Sequence, residues 1–279
     1  TAPEVSPYDL YRWCVQDSPR MAAFLRGVHG GKPRTLREDF AGPAALACQW
    51  VADDPDARAI AVDIDPEPLT FAPLAPASPT RHHLQLACQD VLQCKHKADV
   101  VAALNFAACE LHQRSTLLKY LRQTLSCLTP GGILVLDLYG GVTSQQAGSK
   151  QATARVPASD PRCPSLARTK ITYTWQQVSY NAKNSTVENR ISFRFGKLTV
   201  RDAFIHDWRL SSIAELTDAL AESGFASVEI HNTLGSAIDS GGAVLTQPVP
   251  EGEPLDEDFV VYLVARKAAG KSSRKAPRR

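Results

Sequence analysis

The chain has 279 residues, 44% apolar and 22% charged, the balance of an ordinary globular protein long enough to bury a full core. Its net charge is only +2, and its longest apolar runs, such as residues 133–138, fall far short of the ~20 residues that a membrane-spanning helix needs. Arg266, Lys267, Lys271, Arg274, Lys275, Arg278 and Arg279 crowd the C-terminus with no acid among them, and the rest of the chain carries more acids than bases, unlike a dedicated nucleic-acid binder.

In chain order, residues 8–28 have helical apolar spacing, with Ser6 or Asp9 as cap and Gly30-Gly31 as stop. Residues 35–40 read as a first strand, 43–51 as an alanine-rich helix and 59–63 as a second strand. Pro66 suits the first turn of the next helix, which the proline-rich stretch 73–79 ends early. Residues 83–87 and 100–105 read as strands three and four. A helix over 115–127 and the turn Pro130-Gly131-Gly132 lead to a fifth strand at 133–139. This alternation predicts an α/β domain with a mostly parallel sheet and helices on both faces.

The pattern changes after Gly140-Gly141. Residues 142–167 read as loop or weak helix, being rich in Ser, Gln, Ala and Pro. Residues 171–175, 187–195 and 198–204 alternate, separated by turn residues, and predict an antiparallel meander inserted after strand five. One face of Tyr173, Trp175, Phe193 and Phe195 must be buried against something. A helix at 212–223 with Gly224 as its C-cap, and strands at 226–232 and 259–265, complete the sheet. The expected division is therefore 1–141, an N-terminal helix and ligand-binding core; 142–210, a lid or substrate insertion; 211–266, the rest of the core; and 267–279, a disordered basic tail.

The first three strands end in acids, and ligands of open α/β sheets bind outside the carboxyl ends of the strands. Asp63 can accept from ribose hydroxyls, whereas Asp65 reads as a helix N-cap before Pro66. Seven scattered cysteines, odd in number and without a Cys-x-x-Cys pair, point to reduced thiols packed as small hydrophobes in a cytoplasmic protein. Cys94 and His96 have no second pair to complete a tetrahedral site, so no metal is expected.

Five segments (36–42, 61–66, 88–91, 99–106 and 128–138) stand in the order of class I S-adenosylmethionine-dependent methyltransferases. From about Tyr8 to Arg266 the chain resembles the small-molecule members of that family. It is most similar to a group that opens with Tyr8-Asp9-Leu10-Tyr11 and carries Leu36-Arg37-Glu38-Asp39-Phe40 as a variant first motif. The usual acid-x-Gly-x-Gly-x-Gly stands here as Glu38-Asp39-Phe40-Ala41-Gly42-Pro43-Ala44, with only the central glycine kept.

The resemblance implies a doubly wound, Rossmann-like, seven-stranded sheet, S-adenosyl-L-methionine as cofactor, and methyl transfer to N or O of a small molecule. It implies that Glu38 reaches the methionine amino group or its water, over a turn of Phe40, Ala41 and Gly42 in which Phe40 and Pro43 narrow the bed. It places Asp63 on the ribose, Ile64 against the adenine, and Asp90 with the Val91 N–H on the adenine edge. Asn105 and Phe106 face the transferred methyl, and Tyr11 lies near the sulfonium, whose charge aromatic faces attract. Trp13 reads as core.

Tyr139, which ends strand five, and His206, of a type that titrates near neutrality, are candidate catalytic groups, and Trp175 and Trp208 are placed near the same space. No acid–base pair is required, because methyl transfer rests mainly on proximity and in-line orientation. The Asn-Pro-Pro-aromatic signature of nucleic-acid and protein amide methyltransferases is absent. The implied partner is a small-molecule methyl acceptor, with no membrane and no nucleic acid. RNA or protein methylation, a scaffold that binds cofactor without catalysis, and a nicotinamide oxidoreductase lacking Gly-x-Gly-x-x-Gly are the alternatives.

Overall fold

A computed structural model describes residues 5–74, 78–158, 160–235, 237–238 and 244–270. The core elements are α1 (Pro7–Val15), α2 (Ser18–His29), β1 (Thr35–Asp39), α3 (Ala45–Asp53), β2 (Arg58–Asp63), α4 (Pro66–Leu69), β3 (Leu84–Cys88), β4 (Ala98–Ala103), α5 (Arg114–Cys127) and β5 (Leu128–Gly141). A meander follows, of β6 (Gly148–Arg155), β7 (Lys170–Asn181), β8 (Thr186–Phe195) and β9 (Leu198–Arg209). Then come α6 (Ile213–Ser223), β10 (Ser227–His231), the short pair β11 (Ala237–Ile238) and β12 (Val244–Leu245), and β13 (Asp258–Arg266).

The main sheet runs β10-β13-β5-β4-β1-β2-β3. Strands β1 to β5 are parallel, and β13 lies antiparallel between β5 and β10. Successive strand residues point to opposite faces, so Val101 and Leu134 pack with Leu117, Leu121 and Leu220 of α5 and α6. Val100 and Val135 pack on the other face with Phe24 of α2 and Trp50 of α3. This is the doubly wound seven-stranded sheet expected from sequence, with the antiparallel insertion after β5.

Three local readings change. The single helix expected over 8–28 is two. Ser6 and Asp9 together form a capping box for α1, and Asp17 caps α2 by accepting from Arg20 N, with Pro19 unable to continue a helical ladder from behind. The stretch 142–167 contains strand β6, paired antiparallel with β7, where a loop or weak helix was expected. Its residues are almost all exposed, so no apolar alternation marks it; it covers what would be the bare edge of β7. Lys267, expected at the start of a disordered tail, is tied to the core. Its ammonium donates to Leu125 O at 2.8 Å and Leu128 O at 2.7 Å, while Arg266 donates to Val28 O and His29 O. The remaining basic residues of the tail, Lys271 onward, lie outside the described residues.

The insertion packs on α1 rather than standing alone. Leu10 and Trp13 are buried with Val156, Ile171, Ile191 and Phe193. A buried ionic cluster reinforces the joint: Arg12 pairs with Asp9 and Asp160, Trp13 Nε1 donates to Asp160 at 2.8 Å, and Arg162 pairs with Asp9. Burial pushes the Asp160 carboxyl up, but hydrogen bonds from Arg12 and Trp13 outweigh this and hold it below its ordinary range.

Candidate functional site at the carboxyl ends of the strands

The turn after β1 keeps the backbone of a glycine-rich motif with one glycine. Phe40, Gly42 and Ala44 have φ of 54°, 52° and 54°, the left-handed region that side chains disfavour. A Cβ on Gly42 would meet no protein atom within 4 Å, so the turn exposes open space above its middle residue. The turn is fastened to β2 through Ala41 N to Val62 O at 3.0 Å and Gly42 N to Asp63 Oδ2 at 2.7 Å. Phe40 does not narrow the bed as expected: its ring packs edge-on against Tyr120 of α5, 5.8 Å between centroids. Ala41 is buried in the core beneath the turn.

Glu38 is buried, and its Oε2 accepts from Ala47 N at 2.8 Å. It therefore caps α3, whose N-cap position is Ala44, without a side chain that can do so. No cation pairs with it among the described residues, and burial pushes its carboxyl up to about 8 despite the N–H donors. At the end of β2, Asp63 Oδ1 accepts from Asp65 N, and Asp65 caps α4 through Glu67 N, the N-cap role read from sequence. Ile64 between them is 73% exposed. After β3, Asp90 accepts from Leu92 N, while the Val91 side chain belongs to the core.

Asn105 and Phe106 follow β4 in a second left-handed turn, with φ of 59° and 64°. Asp137 of β5 holds it: its Oδ2 accepts from Asn105 N at 2.8 Å and its Oδ1 from Phe106 N at 2.7 Å. Asp137 is 7% exposed, and burial pushes its carboxyl up to about 7.

A cleft of about 210 Å³ lies between the core and the insertion. Tyr11, Glu38, Asn105, Phe106 and Asp137 form one side, and Tyr173, Trp175, Ile191 and Trp208 of the meander form the other. Glu110 fixes Trp208 by accepting from its Nε1 at 2.7 Å. Helix α1 also reaches the segment after α4, where the Tyr8 ring packs tilted against Phe71 with centroids 5.1 Å apart.

Of the residues singled out from sequence, Tyr11, Glu38, Asn105 and Phe106 line this cleft. Gly42, Asp63, Ile64 and Asp90 sit on the strand ends of β1 to β3, outside its enclosed part. Tyr139 and His206 stand behind the cleft wall, not on it. The Tyr139 ring packs on Phe106 at 4.8 Å, and its hydroxyl accepts from Asn189 and donates to Gln177. His206 stacks on Trp208 at 4.5 Å, with Nδ1 3.4 Å from Glu110 Oε1. The missed residue is Asp137, whose signal was an acid inside the apolar run Ile133-Leu134-Val135-Leu136 to Leu138.

No protein-family model and no curated protein sequence matches the chain. Solved structures do. The chain is similar to an S-adenosylmethionine-dependent methyltransferase from Clostridium acetobutylicum, at 16% identity and a TM-score of 0.60, over 93% of this chain and 96% of that one. A sugar N-methyltransferase from Streptoalloteichus sp. matches at 16% identity and a TM-score of 0.62, over 96% and 94% of the two chains. An S-adenosylmethionine-bound amino pentose methyltransferase from Micromonospora echinaspora matches at 14% identity and 0.60, over 91% and 94%. The fold is that of S-adenosylmethionine-dependent methyltransferases. The likeness runs through the insertion as well as the core, since it covers nearly the whole of each chain.

Proposed function

We propose that the protein is an S-adenosyl-L-methionine-dependent methyltransferase acting on N or O of a small molecule. The observation that carries the reading is the turn of Phe40, Gly42 and Ala44. Two non-glycine residues bear left-handed strain to keep an open backbone cradle, at a cost of about 1–2 kcal/mol each. Strain of this kind persists only where the surrounding structure enforces it, and it clusters at functional sites.

The residues present fit the cofactor. Glu38, a buried carboxylate with no cation beside it among the described residues, matches its methionine ammonium. Asp63 matches the ribose hydroxyls, exposed Ile64 offers an apolar face to the adenine, and Asp90 with the Val91 N–H matches the adenine edge. Tyr11 and Phe106 bring aromatic rings to the cleft that receives the sulfonium. When bound, the cofactor supplies an activated methyl group. The chain's own part is to hold acceptor and methyl in line and to exclude water, and α1 with the meander closes the cleft for that purpose. Tyr139 and His206 act through the cleft wall: the first supports Phe106, the second supports Trp208. The small-molecule reading is supported by the size of the cleft, about 210 Å³, and by the excess of acids outside the C-terminal segment. Seven unpaired cysteines support a cytoplasmic setting.

The test is methyl transfer from labelled cofactor to a low-molecular-weight extract, RNA and DNA in parallel. Label is expected in the small-molecule fraction, unaffected by removal of residues 271–279. Label in RNA that is lost with that segment would replace this reading with RNA methylation.

A further inference from the structure

We propose that the methyl acceptor carries a basic amine, taken up as a cation between Asp137 and the aromatic wall of the insertion. This rests on the methyltransferase reading, and it goes further by naming the acceptor's chemistry. The described lining of the cleft contains three carboxylates, Asp17, Glu38 and Asp137, and no lysine, arginine or histidine. Such a cleft disfavours a carboxylate or phosphate acceptor, which would bring a further negative charge into a site with nothing to pair it.

The two deep carboxylates lie on strands that flank β4, Glu38 on β1 and Asp137 on β5. Glu38 faces the cofactor side, at the turn of Phe40 to Ala44. Asp137 sits under Asn105 and Phe106, where the acceptor must come to meet the methyl. Each Asp137 oxygen accepts one backbone N–H, which leaves lone pairs for a ligand donor, and no side-chain cation pairs with it among the described residues. Trp175 and Trp208 line the same cleft. Their rings are set by neighbours: Trp208 lies near-perpendicular to Phe106 at 5.7 Å, and Trp175 to Tyr139 at 5.9 Å. Fixed aromatic faces beside a buried carboxylate attract an ammonium in a dry site more strongly than either group does in water. The ammonium passes one proton to the Asp137 carboxylate before its nitrogen lone pair takes the methyl and the methyl–sulfur bond breaks, so the recognised cation and the neutral nucleophile are the same acceptor.

Benzylamine, benzyl alcohol and benzoate match in shape and differ in charge, so they are the probes. Each is titrated by calorimetry into the full chain, with and without saturating S-adenosylhomocysteine. Benzylamine is expected to bind at least tenfold more tightly than benzyl alcohol, and benzoate more weakly than either. Equal or tighter binding of benzyl alcohol or benzoate, or no binding of benzylamine, overturns the proposal. Asp137→Asn is expected to cut the amine preference below threefold. Because that variant also loosens the turn at Asn105, Trp208→Leu serves as a second, expected to lower benzylamine affinity severalfold with little effect on benzyl alcohol. Failure of S-adenosylhomocysteine to bind would count against the cofactor reading alone, since the amine preference is still read without it.

Discussion

At the level of single residues, backbone strain and buried charge govern the proposed site. Gly42→Ala adds a methyl at φ 52° with no protein atom in its way, so the unliganded protein is expected to lose only about 1–2 kcal/mol. Cofactor affinity is expected to fall at least tenfold, because the methyl fills the open cradle. Chemical denaturation and calorimetry on the same variant separate the two effects, and equal affinity would remove the cradle from the site. Glu38 and Asp137 make a second prediction. Both carboxyls are raised in the folded state, to about 8 and about 7, against about 4 in an unfolded chain. The stability they contribute is therefore complete below about pH 4 and lost as pH rises through 7 to 8. A cationic ligand beside Glu38 pulls that pKa back down. Binding between pH 6 and 7 should thus release protons and tighten as pH rises. Calorimetry in buffers of different ionisation enthalpy reads this directly; net proton uptake would contradict it. In the sequence, Asp63 was singled out by its place at a strand end and Glu38 by the resemblance of its motif, whereas Asp137 was hidden by its apolar run.

At the scale of elements, the parallel strands were legible because each is a short apolar run closed by a turn, as in Ala59 to Asp63. The break between α1 and α2 was not, since the apolar spacing runs on through Gln16 and Asp17 and only the cap geometry interrupts it. Strand β6 was invisible because hydrogen bonding to β7, not burial, makes it a strand. Nor does periodicity reveal that α1 belongs with the meander, because the joint is made by apolar and charged residues far apart in the chain. That joint gives a third prediction. Asp160→Ala removes one partner of buried Arg12 and the acceptor of Trp13 Nε1, leaving Asp9 as the remaining counter-charge. The expected loss is about 3 kcal/mol of unfolding free energy, the lower end for breaking a buried pair. Denaturant midpoints shared with the wild type would show that the cluster contributes no stability.

At the scale of the whole molecule, a doubly wound sheet supplies a rigid row of strand ends, and α1 with the antiparallel sheet encloses part of that row. The overall order of segments was readable because the acid-ended strands recur at regular intervals. The acceptor was not, because the meander's inner face gives its residues as a strand pattern without showing what lies opposite. The proposed cofactor site is the turn of Phe40, Gly42 and Ala44 with Glu38 and Asp63. The direct measurement is a calorimetric titration of the full chain with S-adenosylhomocysteine, with NADH as comparison. One saturable site for S-adenosylhomocysteine is expected, weakened by about 1–3 kcal/mol in Asp63→Ala through loss of charged hydrogen bonds, and no heat with NADH. Saturable binding of NADH, or no binding of S-adenosylhomocysteine, would contradict it.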